Sequence, residues 1–425
     1  DMPMQMLLGN PPKMTRDVKR AALPSSEIDL ADIGLEDAVF RVLRFPAVAN
    51  KGFLIHIGDR TVGGLSARDQ LIGTWQVPVR DVAITLSGLE GKTGEAMSMG
   101  DRTPLAAFNA PASGRMAVAE AVTNIAAAAI DGIDKVRLSA NWMAAADHNG
   151  EDASLFDTVK TVANDMCRKL GIAIPVGKDS LSMRARWSQD GEEYQVVAPV
   201  SLIVSAFAPV TDVTRQLTPQ LRATPEQSYL LLFDLGGGAD RLGGSCLAQA
   251  FNRVGGEAPD IDNPGLLRNF FAAVQELASR DMLLAYHDRS DGGLLATVAE
   301  MMFASRLGVS LQLSGPRESL LAQLFNEEAG AVVQVTKGKL TQVQMVLDRH
   351  GIGAQAIGRV ERKPVLTIRD GDNPPLHFER RDLQRAWSET SYRIQALRDN
   401  PATAREEFDG ILDDGDPGLN VDLTL

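Results

Sequence analysis

A polar, proline-containing stretch at residues 211–228 (TDVTRQLTPQLRATPEQS) splits this chain into two parts, each with its own strand and helix signals. A segment without apolar periodicity carries no core across itself, so each part must bury its own. For 425 residues, at about 150 residues per domain, two or three domains are expected. Before the stretch, 27–45 has a mixed helical pattern, 53–57 (FLIHI) reads as a strand, and 76–86 (QVPVRDVAITL) alternates like a half-buried strand. Residues 114–131 form a helix dense in alanine with Gly132 beyond its end. A strand at 136–142, an amphipathic helix at 151–170 closed by Gly171, a strand running into the loop GKDS, and a β-rich run at 195–210 follow. After the stretch come the buried strand YLLLFDL, the glycine-rich loop GGGADRLGGS, helices at 264–280 and 292–305 separated by the strand MLLAYHD, the strand AVVQV, a helix at 338–350, and the strands AIGRV and VLTIR. Strands are grouped rather than alternating with helices, which predicts an α/β chain of the α+β kind.

The ends read differently from the middle. The first 25 residues are polar and aperiodic, and the segment 399–425 is an acidic loop ending in NVDLTL. The expected division is a linker at 1–30, an N-terminal α/β domain at 31–215, a C-terminal α/β domain at 225–370 and a C-terminal extension at 371–425. Ends of this kind suggest a piece of a longer polypeptide, with frayed natural ends as the alternative.

Charge and composition exclude several function classes. Lys+Arg total 43 against 55 Asp+Glu, a net charge of −12, which disfavours non-specific binding to nucleic acid or an anionic membrane. No apolar run approaches the roughly 18 residues of a membrane span, and the start carries no signal-peptide pattern. Cys167 and Cys246 are too few for a disulfide framework and lack CxxC spacing, so they read as buried free thiols in a reducing compartment, the cytoplasm. The five histidines never form HExxH, which argues against a dedicated zinc site. Gly171 and Gly177 are one residue too far apart for a P-loop, and Asp179 stands where its Ser/Thr should be. GGGADRLGGS lacks GxGxxG spacing, and no GxSxG elbow is present.

What remains is a set of polar groups in apolar surroundings. Glu120 and Asn124 are i,i+4 on the alanine-rich helix, so two oxygen donors share one face, as Mg²⁺ or Ca²⁺ requires; a water-facing stripe is the alternative. Asp81 follows Arg80 inside the alternating strand at 76–86, where a carboxylate can also face solvent. In AYHDRSDGGLL a strand ends at His287 and Asp288, and Ser290, Asp291, Gly292 and Gly293 open a helix. Those residues either cap the helix or hold phosphate on its free N–H groups with a metal at Asp288. The loop GDRTVGGLSARDQ offers Arg60, Arg68 and Asp69, and Lys51 and Lys178 are further candidate phosphate partners.

These segments together resemble phosphoribosylformylglycinamidine synthase of the large single-chain type. The stretches LLGNPPKM, IGDRTVGGLSARDQLIGTWQVPVRD, GEAMSMGDR, AVAEAVTNIAA, LSANWMAAA, PVGKDSLSM, AYHDRSDGGLL and LFNEEAGAVVQV carry the resemblance in chain order. It is to the second half of the synthetase region, with a first half before it and a glutaminase domain after it; neither cysteine matches a glutaminase nucleophile. The resemblance implies an aminoimidazole-ribonucleotide-synthetase-like N-terminal domain, half of a shared β-barrel, followed by a C-terminal α/β domain. It implies the ATP- and glutamine-dependent conversion of formylglycinamide ribonucleotide to the amidine in purine biosynthesis, with this half holding ADP or ATP and Mg²⁺. Carried over position by position, Asp81, Glu120, Asn124 and Asp288 match metal ligands, and Ser290 and the backbone of Arg80 match nucleotide contacts, where the family often has a small residue in place of Arg80. Lys51 and Lys178 lie in matching stretches as phosphate partners.

Three readings follow. The chain is an amidotransferase half without glutamine-dependent turnover of its own, a nucleotide-binding structural module, or a free-standing ATP-dependent kinase or synthetase of the same superfamily. Its partners would be small molecules (formylglycinamide ribonucleotide, ATP, ammonia from a glutaminase domain), and the sheet edge expected to face a partner half predicts a homodimer.

Overall fold

The computed structural model describes residues 2–9, 15, 17–21, 27–56, 58, 60–313, 315–371 and 373–420. Residues 10–14 of LLGNPPKM, Ile57 at the end of FLIHI, Asp59 of the glycine-rich loop and residues 421–425 lie outside that set.

Helices α1 (Met4–Leu8), α2 (Leu35–Arg44) and the single turn α3 (Gly52–Ile55) precede the first sheet. Its strands are β1 (Ser66–Arg68), β2 (Ala83–Leu86), β3 (Gly94–Asp101), β4 (Arg137–Met143), β5 (Ala173–Ser180) and, after a separate hairpin of β6 (Arg184–Gln189) and β7 (Glu192–Val197), β8 (Ser201–Val210). They lie in the order β1-β2-β3-β8-β4-β5, antiparallel except for β4 with β5. Between β3 and β4 runs α4 (Ala106–Ile125), and between β4 and β5 run α5 (Glu151–Lys160), a π turn at 161–166 and α6 (Cys167–Leu170).

The alanines of α4 serve close approach. A Cβ on Gly100 of β3 would stand 2.2 Å from the Ala117 carbonyl and 2.5 Å from the Ala121 nitrogen. Only a helix of small side chains against a glycine strand packs so tightly, and that contact sets Glu120 beside the end of β3. Burial along β3 alternates strictly, so one face of the sheet packs on α4. The other face leaves Met97, Met99 and Phe207 exposed, with Met97 opposite Phe207 across the β3–β8 pair.

The second sheet uses β9 (Ser228–Asp234), β10 (Ala285–Asp288), β11 (Gly308–Leu313), β12 (Gly330–Thr336), β13 (Ala354–Glu361), β14 (Val365–Asp370) and β15 (Leu376–Glu379), in the order β10-β12-β9-β13-β11-β14-β15. Its helices are α7 (Cys246–Ala250), α8 (Pro264–Ser279), α9 (Gly293–Ser305), α10 (Arg317–Phe325), α11 (Leu340–His350), α12 (Arg380–Arg398) and α13 (Pro401–Gly410). Both faces are covered. Leu231 and Phe233 join a core continuous with α4, α8 and α11, while Leu230 and Leu232 join one built from α2, α9, α10 and α12.

Several sequence expectations are corrected. FLIHI contributes to the turn α3, not a strand. The strand expected over 76–86 begins only at Ala83, because Ile72 and Val77 pair in a tight hairpin and Pro78 follows. Asp81 therefore stands in the loop before β2. The helix expected at 114–131 starts at Ala106 and ends at Ile125; Asn109 kinks it, and Pro111 is carried in its first turns. GKDS is strand through Ser180. Helices α12 and α13 lie in the stretch 371–425, over which only an extension was expected.

Both cysteines are free and buried. Burial pushes the Cys167 thiol up to about 11, and burial with the neighbouring Glu327 pushes Cys246 well above its ordinary value. A thiol-specific chromophoric reagent at pH 8 should therefore find no cysteine in the native protein and two in denaturant. Prompt labelling of the native chain would contradict the packing around α6 and α7. Among the described residues no helix is long and apolar enough to cross a membrane.

Candidate active site

Strand β10 and the turn after it carry the residues around which the candidate site is built. His287 and Asp288 end the strand, and Gly292 and Gly293, both at positive φ, turn the chain into α9. A side chain at Gly293 would meet the Asn326 carbonyl at 2.5 Å. The pair is required because the turn presses against the residues leading into β12.

Asp81 reaches this turn from the first domain, and its side chain is 1% exposed. Its Oδ1 accepts from His287 Nδ1 at 2.7 Å and from the Asp288 backbone N–H at 3.1 Å. On its other side the imidazole donates from Nε2 to Glu300 Oε2 of α9, 2.8 Å away. Burial opposes a charged imidazole, but the two carboxylates prevail and hold His287 protonated well above the usual range. Asp81 Oδ2 and Asp288 Oδ2 are both buried and have no hydrogen-bond partner. Two buried carboxylates side by side, each with an oxygen lacking a partner, are costly unless a proton or a cation lies between them. Donor atoms of Asp81, His287 and Asp288 all fall within 4.8 Å of one another. Burial first, then the Asp81 charge, push the Asp288 carboxyl up to about 8.

Glu120 completes the acidic wall. It accepts from the Asp101 N–H at 2.8 Å, and burial, with Asp291 and Asp288 nearby, raises its carboxyl well above the ordinary range against the pull of Arg102. Asn124, one turn along α4, donates to the Met99 carbonyl at 3.2 Å. The Ser290 hydroxyl makes no hydrogen bond among the described residues, while its carbonyl accepts from Gly293 N–H at 3.0 Å. Hard oxygen donors of this kind suit Mg²⁺.

Beneath the turn lies a buried ion-pair network. Arg102 donates to Asp291 Oδ1 at 2.9 Å and to Glu327 Oε2 at 2.6 Å; Glu327 Oε1 accepts from the Cys246 and Gly292 N–H groups at 2.9 and 2.8 Å. Cys246, Asp291 and Glu327 also bring donor atoms together, but there Arg102 already lies between the two carboxylates and pairs with both.

The remaining candidates are placed differently. The Arg80 side chain turns to the interdomain stretch, donating to the Asp69 carbonyl at 3.0 Å and to Gln216. Burial and neighbouring Arg68 lower its guanidinium to about 10. Arg60 pairs with Asp69, so the glycine-rich loop binds itself. Lys51 spends its ammonium on the carbonyls of Pro46, Ala47 and Ala49. Lys178 is exposed on edge strand β5, opposite Asn141. His287, Glu300, Arg102 and Glu327 were not singled out as site residues by sequence. Their signal is contact between distant elements, which spacing along the chain does not report.

Residues 50–209 match the FGAR-AT PurM_N-like domain, and residues 231–371 match the C-terminal domain of AIR synthase related protein. Among solved structures, the chain is similar to Thermotoga maritima PurL complexed with FGAR, at 14% identity and TM-score 0.57, covering 82% of this chain and 53% of that one. PurLQS from the same organism gives 12% identity, TM-score 0.57 and coverages of 84% and 52%. T. maritima PurL complexed with ATP gives 14%, 0.52, and 74% and 48%. The chain spans about half the length of each. At such identities the likeness is one of fold.

Proposed function

We propose that this chain, whose two domains and fold are those of the AIR synthase-like superfamily, is one synthetase half of an ATP- and glutamine-dependent amidotransferase. The reaction is conversion of formylglycinamide ribonucleotide to formylglycinamidine ribonucleotide in purine biosynthesis. The observation that carries the reading is the pair of buried, unpartnered carboxylate oxygens on Asp81 and Asp288, with Glu120 beside them.

Asp81, Glu120, Asn124 and Asp288 hold Mg²⁺ in this reading, and Ser290 with the backbone of Arg80 holds ADP or ATP. Bound Mg²⁺ supplies neutralisation of the nucleotide phosphates, the main requirement of phosphoryl-transfer chemistry. The chain's own residues do the positioning. His287 fixes Asp81 Oδ1, leaving Oδ2 directed at the pocket, and the Arg102–Glu327 pair holds the Gly292 N–H end of the phosphate turn. Exposed Lys178 is available to an anion, and Lys51 must release three carbonyls to reach one. Over the whole reaction the substrate amide oxygen is phosphorylated and ammonia from a glutaminase domain displaces phosphate. The exposed Met97, Met99 and Phe207 face fits a sheet completed by a second half, or by a second copy in a homodimer. A monomer by light scattering at micromolar concentration would count against that pairing.

The test is to purify the chain without added nucleotide, denature it and assay the supernatant. Near-stoichiometric adenine nucleotide with magnesium is expected, together with no glutamine-dependent turnover by the chain alone. Asp288→Ala should lose the nucleotide; retention by that variant would place the site elsewhere.

A further inference from the structure

We propose that Trp387, on a helix outside both matched domains, is a positioning residue for the Asp81–Asp288 pocket and acts on it through Glu300 and His287. The inference rests on the reading of that pocket as a divalent-cation site. Trp387 is 2% exposed and packs on Phe303 of α9, with ring centroids 5.3 Å apart. Its Nε1–H is shared between the Val48 carbonyl at 2.8 Å and Glu300 Oε1 at 3.2 Å. The other oxygen of Glu300 receives His287 Nε2, and His287 Nδ1 meets Asp81 Oδ1. An unbroken hydrogen-bonded line thus runs from α12 to the carboxylate whose Oδ2 is left for a cation.

A second contact runs the same way. Trp387 holds the Val48 carbonyl, and the Val48 side chain lies against Gly292, where a Cβ would stand 3.0 Å from it. The Trp387 carbonyl accepts from the Asn50 N–H at 3.0 Å. Helix α12 therefore bears on both the carboxylate and the turn. Asp81 comes from a loop of the first domain and Asp288 from a strand of the second, so their separation depends on what braces His287. Without the indole N–H, Glu300 Oε1 has no hydrogen-bond donor among the described residues, and its side chain, 19% exposed, is drawn toward water. Residues that orient metal ligands in this way typically matter about 10–100-fold in metal affinity.

The experiment titrates the full chain with Mn²⁺ alone, reading free ion by electron paramagnetic resonance, with a thermal melt on every variant. Wild type should bind and Asp81→Asn should not. Trp387→Phe and Glu300→Ala should weaken binding by about 10–100-fold. Glu300→Gln should stay within a few-fold of wild type, because its amide oxygen can accept from Trp387 while its N–H₂ donates to a neutral His287. Wild-type affinity in both Trp387→Phe and Glu300→Ala, with Asp81→Asn dead, would overturn the inference and leave the pocket standing. Equal loss in Glu300→Gln and Glu300→Ala would overturn it too, since charge rather than position would then matter. No Mn²⁺ binding by wild type, or full binding by Asp81→Asn, would overturn the pocket itself. Should Trp387→Phe fail to fold, Glu300→Ala against Glu300→Gln decides.

Discussion

Arg102→Ala is expected to cost about 3–5 kcal/mol of stability, the range for breaking a buried ion pair from one side. The guanidinium is 3% exposed and Glu327 is 2% exposed. Burial raises the Glu327 carboxyl, and Arg102 is what offsets it. With alanine at 102, Glu327 keeps the Cys246 and Gly292 N–H donors and the Cys246 thiol, and must either ionise without a counter-charge or take up a proton. Asp291 loses its partner as well. The transition that includes the second sheet should move to lower denaturant concentration, and Gly292 should loosen, since Glu327 is its anchor. A double change, Arg102→Met with Glu327→Leu, should recover only part of the loss, because the apolar pair carries no desolvation cost but leaves the Cys246 and Gly292 N–H groups without their acceptor. An Arg102→Ala variant within 1 kcal/mol of wild type would show that Glu327 is already neutral or reached by water.

This network also marks how far the sequence could be read. The stretch at 211–228 and the central strands announce themselves through local pattern, whereas the metal-ligand candidates come from the family resemblance, since pattern alone leaves a solvent-facing or capping role open to them. AYHDRSDGG shows a strand, two polar residues and a glycine turn in nine letters, and the structure puts the turn there. The same logic fails at 76–86, where alternation suggests a continuous strand. Pro78 and the hairpin closed by Ile72 and Val77 interrupt it and free Asp81 to cross to the second domain. It fails again at 380–410, where a high charge density hides two helices whose apolar residues, among them Leu383, Ala386, Trp387 and Phe408, are few but buried. Arg102, Glu300 and Glu327 are ordinary letters in helix and strand neighbourhoods. Their roles exist only once α4, α9 and the start of β12 are packed together, and no period along the chain encodes that.

Magnesium should stabilise the protein far more at pH 8 than at pH 5.5. Asp288 has an ordinary value of 3.8, and burial, then Asp81, push it to about 8 in the folded chain. Between those values the folded state carries a proton that the unfolded state has released. Stability of the cation-free protein contributed by this group is therefore present at low pH and lost as pH rises toward 8. Glu120 is raised in the same direction and adds to the slope. A divalent ion takes the place of that proton, so binding must release it, and affinity must climb across the same window. At 100 times its dissociation constant, bound Mg²⁺ adds about 2.7 kcal/mol, and this increment should shrink as the pH falls below neutrality. Thermal melts with Mg²⁺ or with chelator, at half-unit steps from pH 5.5 to 8, measure both slopes. Asp288→Asn should flatten them together, because it removes the titrating group and a ligand at once. A magnesium increment that is the same at every pH, or that survives in Asp288→Asn, would mean that the ion binds somewhere other than between the two orphaned oxygens.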